Sequence, residues 1–189
     1  MKKRIFYIDV NDEAAGMNAI SLVKYPAVQY DFLQFNEDKQ PVQLSFNDEK
    51  RVITGIVALA DTPIYRYEQG FGEYWVVFTK DVIEKMVVKY SKDGLFNSVN
   101  LQHNDEKFVD GVYLFESYII NRERGILPTE FDNVTEGSWV CSFKVENEDV
   151  WNEIKNGKDL NGFSLQGLFE LIEGKLTDEI DDLINEILD

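Results

Sequence analysis

One cysteine and one histidine are all that this 189-residue chain holds of the two side chains most used to bind zinc. The lone Cys141 excludes an internal disulfide and any cysteine-cluster metal site, as suits a reducing compartment. Basic side chains are also scarce, 19 Lys and Arg against 35 Asp and Glu, for a formal net charge of -16. A field of that sign repels phosphate backbones and anionic bilayers, so neither nucleic acid nor membrane is an expected partner. Long apolar runs are missing as well. The opening Met1-Lys2-Lys3-Arg4 has the charge of a signal-peptide start, but Ile5-Phe6-Tyr7-Ile8-Asp9-Val10 is too short and is interrupted by an acid. The sequence reads as a soluble, cytosolic protein.

What is present is a sizeable apolar complement, 44% hydrophobic with 13% aromatic residues, which at this length predicts one globular domain with appendages. Strand-like runs rich in β-branched and aromatic residues fall at 4–10, 42–46, 52–60, 74–78, 97–103, 111–120, 138–145 and 163–172. Residues 79–93 predict a helix, with Thr79 as N-cap, a stripe of Val82, Ile83, Met86, Val87 and Tyr90, and Gly94 beyond its end. A second is predicted over 148–156, capped by Asn147 and stopped by Gly157, with Glu148 and Asp149 in its first turn. From Lys175 to Asp189, the residues Leu176, Ile180, Leu183, Ile184, Ile187 and Leu188 share one helical face, which calls for a partner. There is no strand-helix alternation and no repeat of 20–50 residues, so a doubly wound sheet and a solenoid are disfavoured. The expected class is mainly β with flanking helices (α+β), as a small barrel or sandwich. Pro41 lies in the clearest polar linker, and the stretch before it reads as an N-terminal arm.

For chemistry near neutral pH the first candidate is His103, at the end of Val99-Asn100-Leu101-Gln102-His103 and ahead of the turn residues Asn104-Asp105. Desolvation at such a strand end suits a base, although a lone histidine there is more often a structural hydrogen-bonding residue. Ser164, in Gly162-Phe163-Ser164-Leu165-Gln166-Gly167, is the candidate nucleophile. Its surroundings do not form the Gly-x-Ser-x-Gly elbow, because the second glycine falls at 167, so an α/β-hydrolase is disfavoured and a plain strand-edge serine stays open. Cys141 is a rival nucleophile by type only. It shares a period-two face with Trp139, Phe143 and Val145 and reads as core. One histidine without a cysteine cluster leaves a metallohydrolase only carboxylates for ligands.

The order of these segments resembles the prohead serine proteases of tailed bacteriophages, the capsid-maturation enzymes related to herpesvirus assemblin. The resemblance covers about Val52 to Glu170. It is carried by the strand ending Asn100-Leu101-Gln102-His103, by Val112-Tyr113-Leu114-Phe115-Glu116 and the strand at 137–145, and by the helix and glycine turn that deliver Asn161-Gly162-Phe163-Ser164. Ala19-Ile20-Ser21-Leu22-Val23-Lys24-Tyr25-Pro26-Ala27 is similar to the opening of one branch of that family. Asn104 stands between the histidine and Asp105, and Leu-Gln follows the serine, where family members often carry Asp directly and Ile-Gly.

The resemblance implies an assemblin-type barrel over 51–173, an N-terminal strand and arm at 1–50 and an acidic amphipathic helix at 174–189. It implies a serine endopeptidase with His103 as general base, Ser164 as nucleophile and Glu116 orienting the imidazole, with Asp110 and Glu170 as rivals for that last role. No cofactor or metal is needed. The implied substrates and partners are the scaffold, the major capsid protein and the chain itself, inside the immature capsid in the host cytoplasm. An inert minor capsid or scaffold-like protein that retains the fold is the alternative reading, and an acidic binding module unrelated to phages is a third.

Overall fold

Thr79 begins a helix as its sequence requires: its side chain accepts from the Val82 amide, and Lys80–Lys92 (α1) runs until Gly94 turns left-handed with φ of 67°. Asn147 caps Glu148–Asn156 (α2) in the same way, its side-chain oxygen accepting from Val150 N at 3.1 Å. The third helix, α3, spans Asp178–Leu188. The computed structural model describes residues 3–10, 15–23, 45–104, 108–156, 160 and 162–188. The expected linker at Pro41, the helix stop at Gly157, Asp105, Asn161 and the segment Lys24-Tyr25-Pro26-Ala27 lie outside them.

The strands are β1 (Ile5–Asp9), β2 (Gly16–Val23), β3 (Ser45–Asn47), β4 (Val52–Ala58), β5 (Ile64–Glu68), β6 (Gly72–Val77), β7 (Val99–Leu101), β8 (Val112–Ile119), β9 (Trp139–Val145), β10 (Gly162–Leu168) and β11 (Glu170–Glu173). Among the described residues they form three sheets, ordered β11-β1-β6-β5, β10-β2-β7 and β3-β4-β9-β8. The mainly-β, α+β expectation holds; closure into a barrel does not. A barrel needs both edges of every strand paired. Here β2 takes one edge of β10, and β10 packs beside β4 without laddering to it, so two sheets face each other across a shared core.

That core is built by parity. In the three-stranded sheet Leu165, Ile20 and Val99 stand in register, as do Phe163, Leu22 and Leu101, and this face joins Ile53, Val57, Cys141 and Phe143 of the facing sheet. Phe163 and Phe143 rings meet with centroids 4.8 Å apart. The first sheet is covered on both faces, which explains why Ile5-Phe6-Tyr7-Ile8 of β1 does not alternate with charged residues. Ile8 and Val76 enter the main core, while Ile5, Trp75 and Val77 pack on Ile180, Ile184 and Ile187 of α3. The partner for the tail's apolar stripe is therefore the chain's own sheet, and Lys3 fastens the helix through Asp181 Oδ1 at 2.6 Å. The N-terminal stretch is not only an arm: β1 pairs with β6 and β11, and β2 is the central strand of its sheet.

Candidate active site

Ser164 lies directly opposite Ser21 in the antiparallel β10–β2 pair, and Ser21 lies opposite Asn100 in the parallel β2–β7 pair. Partners in register project to the same side of a sheet, so Ser164, Ser21 and Asn100 form a polar row across three strands, on the face opposite Leu22 and Phe163. Gln166, two residues beyond Ser164, joins that face. The row is buried: Ser21 and Asn100 are fully so, and Ser164 is 7% exposed.

Full burial calls for hydrogen bonds, and Ser21 and Asn100 make theirs within the row. Asn100 Nδ2 donates to Gln166 Oε1 at 2.5 Å, and Ser21 Oγ lies 2.6 Å from Asn100 Oδ1, 3.1 Å from Gln166 Oε1 and 3.0 Å from His103 Nδ1. His103 reaches this row because β7 ends in a sharp reversal. Gln102 and His103 both hold left-handed backbone, φ of 54° and 55°, with Gln102 N bonded to Leu22 O and Asn104 N to Leu101 O. Two consecutive non-glycine residues in that region cost about 1–3 kcal/mol each, and such strain concentrates at functional sites.

The structure thus brings His103 and Ser164 to one sheet, with Ser21 as the hydroxyl in contact with the imidazole. Glu116 is elsewhere. It sits on β8 opposite Ser142, exposed, bordering a cavity of about 780 Å³ together with Ser117, Tyr118 and Glu130. Among the described residues no hydrogen bond or ion pair joins it to His103, and the nearby Arg122 pairs with Glu136 at 3.2 Å. Asp110 is exposed and its carbonyl accepts from Asn147 Nδ2; Glu170 is exposed on β11 opposite Asp9. Ser21 is the site residue whose role the sequence did not reveal.

A second cavity, of about 390 Å³, borders Ser164. Phe163, Ser164, Leu165, Gly167 and Leu168 all line it, both parities of β10 together, so it lies along the strand's edge rather than over one face. Val57, Ile64, Val76 and Phe78 make its walls apolar, and Arg66 and Tyr74 add polar atoms.

Cys141 is core, with no exposed surface. Burial pushes its thiol well above the ordinary range, against a smaller opposing hydrogen bond with Ser117, so it is neutral and unreactive at pH 7. Burial raises the Tyr90 phenol likewise. In both, the folded chain keeps a proton that the unfolded chain releases, from pH 9.0 for the thiol and 10.0 for the phenol. Stability is therefore intact below pH 9 and falls above it, by about 1.4 kcal/mol per pH unit for each group titrating in the unfolded chain. Urea midpoints measured from pH 7 to 11 are expected to be flat and then to drop. Cys141→Val is expected to delay the onset of that drop toward pH 10, and a thiol reagent is expected to label the native protein only after unfolding.

Among the described residues no cluster of three or more His, Cys, Asp or Glu could hold a metal ion, and no helix is long and apolar enough to cross a membrane. Compared with known proteins, residues 41–173 match the model of a family described as "Putative phage serine protease XkdF". No curated protein and no solved structure matches the chain.

Proposed function

Because the chain belongs to the XkdF family of phage serine proteases, we propose that it cuts scaffold, major capsid protein and its own chain during prohead maturation, with Ser164 as nucleophile and His103 as general base. The observation that carries the residue assignment is the polar row. The chain's one imidazole lies against Ser21, the register partner of Ser164, and Ser164 is the serine of that row that also borders a cavity, which supports the reading.

In this reading His103 takes the Ser164 proton as Oγ attacks a peptide carbonyl. The imidazolium then returns the proton to the leaving amine, and water repeats the cycle to release the acyl-enzyme. Backbone N–H groups near Ser164 stabilise the tetrahedral oxyanion. The relation to herpesvirus assemblin is part of the same proposal, as is the setting inside an immature capsid in the host cytoplasm. Confinement there raises the effective concentration of substrate, so a modest catalyst suffices. Neither nucleic acid nor membrane has a part in it.

The edge of β10 supports binding of substrate as an extended strand, with an apolar side chain in the 390 Å³ cavity beside Ser164. In a matched peptide series, leucine or phenylalanine near the scissile bond is expected to exceed aspartate in kcat/KM by about a hundredfold. A flat series would remove the cavity from the substrate site.

The decisive experiment is intact-mass analysis of the cognate capsid and scaffold proteins co-expressed with the wild-type chain, Ser164→Ala or His103→Ala. Discrete products with wild type that disappear in both variants support the assignment. Partners left uncut by all three chains while shells assemble would favour an inert, scaffold-like role.

A further inference from the structure

We propose that Ser21 is the positioning residue for His103: its buried hydroxyl accepts the Nδ1–H of the imidazole, fixing the tautomer whose lone pair is on Nε2. This deepens the reading of His103 as general base and Ser164 as nucleophile, and rests on it.

The argument is a count of protons. A serine hydroxyl has one hydrogen to donate and lone pairs with which to accept. Around Ser21 Oγ stand two amide oxygens, Asn100 Oδ1 at 2.6 Å and Gln166 Oε1 at 3.1 Å, and one ring nitrogen, His103 Nδ1 at 3.0 Å. Amide oxygens only accept, so the single hydroxyl hydrogen is claimed by them, first by the nearer Asn100. The Asn100 amide is itself oriented by its Nδ2–H donation to Gln166 Oε1 at 2.5 Å. Were Nδ1 to take the hydroxyl hydrogen instead, Asn100 Oδ1 would face an oxygen lone pair at 2.6 Å in a site without exposed surface, a repulsive contact. With the two amides oriented in this way, Nδ1 is the donor.

A neutral imidazole with hydrogen on Nδ1 carries its lone pair on Nε2, and the partner of one ring nitrogen sets the state of the other. The register supplies the rest, because Ser21 is the cross-strand neighbour of Ser164. An imidazole anchored to Ser21 is held on the face from which the Ser164 hydroxyl projects. Asn100 and Gln166 act one step further out, keeping the acceptor lone pair of Ser21 turned toward the ring.

The test uses the fact that this chain has one histidine, so selective 15N-histidine labelling gives a single imidazole. In the full chain at about pH 8.5, roughly two pH units above the ordinary imidazole pKa, nitrogen shifts are expected to report the Nδ1–H form. Ser164→Ala is expected to keep that signature while abolishing peptide cleavage. Ser21→Ala is expected to shift the signals toward the Nε2–H form and to lower kcat about tenfold to a hundredfold with KM little changed. Ser21→Thr, which keeps a hydroxyl, is expected to recover the signature and most of the rate.

A tautomer indifferent to Ser21→Ala overturns the proposal and leaves Ser164 and His103 untouched, whereas a wild-type ring in the Nε2–H form overturns it and turns the imidazole lone pair toward Ser21 instead. Cleavage that survives Ser164→Ala and dies with Ser21→Ala, with a fluorophosphonate label found on Ser21, also overturns it. In that outcome Ser21 is the nucleophile, and the assignment of Ser164 fails with it.

Discussion

Replacing Ser164 with alanine is expected to lower the turnover number by about 10⁴- to 10⁶-fold, and His103→Ala to lower it nearly as much. Nucleophile and base act as a unit, so the double variant should be scarcely worse than either single one. The fold should hardly notice Ser164→Ala: the side chain is small, 7% exposed, and has no side-chain hydrogen bond among the described residues. A change in stability below about 1 kcal/mol is expected. The separation of these effects is the point of the measurement. Activity should vanish in a protein with an unchanged urea midpoint, whereas a variant that loses activity and stability together would show only that the polar row is structural.

Gly167→Ala is expected to be the most damaging single methyl group that can be added near the site. A Cβ there would lie 2.2 Å from Gly16 O and 2.7 Å from Met17 Cα, both main-chain atoms that no rotamer change can move. The β10–β2 ladder slips at this place, between Gln166 and Gly167, so the bulge brings the two backbones together where only glycine fits. Destabilisation of about 3 kcal/mol is expected, at the upper end of what overpacking costs. Because the same ladder holds Ser164 opposite Ser21, kcat should fall even in the fraction that remains folded. The contrast is Gly137→Ala. Its Cβ would meet the flexible Lys80 side chain, and although φ of 86° adds strain there, the site should be spared. If Gly167→Ala folds and cleaves like wild type, the tight β10–β2 contact is not what organises the site.

Local signals in the sequence identified the elements whose causes are local. Thr79 with Gly94, and Asn147 with the acidic first turn, delimit α1 and α2 to within a residue. The alternation of Trp139, Cys141, Phe143 and Val145 places β9 and the thiol in the core. Two strands were missed. In β5, Ile64-Tyr65-Arg66-Tyr67-Glu68 is short, charged and preceded by Pro63. In β2, Met17-Asn18-Ala19 carries little strand propensity, and the strand is stabilised by β10 and β7, which no local window contains. The run predicted at 163–172 is two strands, parting at Phe169 and pairing in different sheets.

The same division explains the site. His103 and Ser164 are visible as residue types at strand ends and glycine-flanked runs. The Gly167 that breaks the Gly-x-Ser-x-Gly spacing is legible only once Gly16 is seen against it. Glu116, which the resemblance implies as the orienting carboxylate, follows His103 along the chain, yet β8 belongs to the sheet with β9 and β4, so adjacency in sequence does not become adjacency in space. Ser21 stood out only as part of a short motif. Its contact with His103 spans 82 positions and that with Gln166 spans 145, separations across which a single sequence carries no visible periodic signal.

Those separations have a bearing on when the enzyme comes into being. Every pairing in the β10-β2-β7 sheet joins distant segments, and chain-closure entropy makes such contacts slow to form. On the proposed assignment, a ribosome that has delivered β2, β7 and the imidazole has not yet delivered the nucleophile, since β10 is still to come. The last strand of that sheet to emerge is the one that carries Ser164. With Ser164 as the proposed nucleophile, a nascent chain is expected to stay inactive until that single sheet is complete.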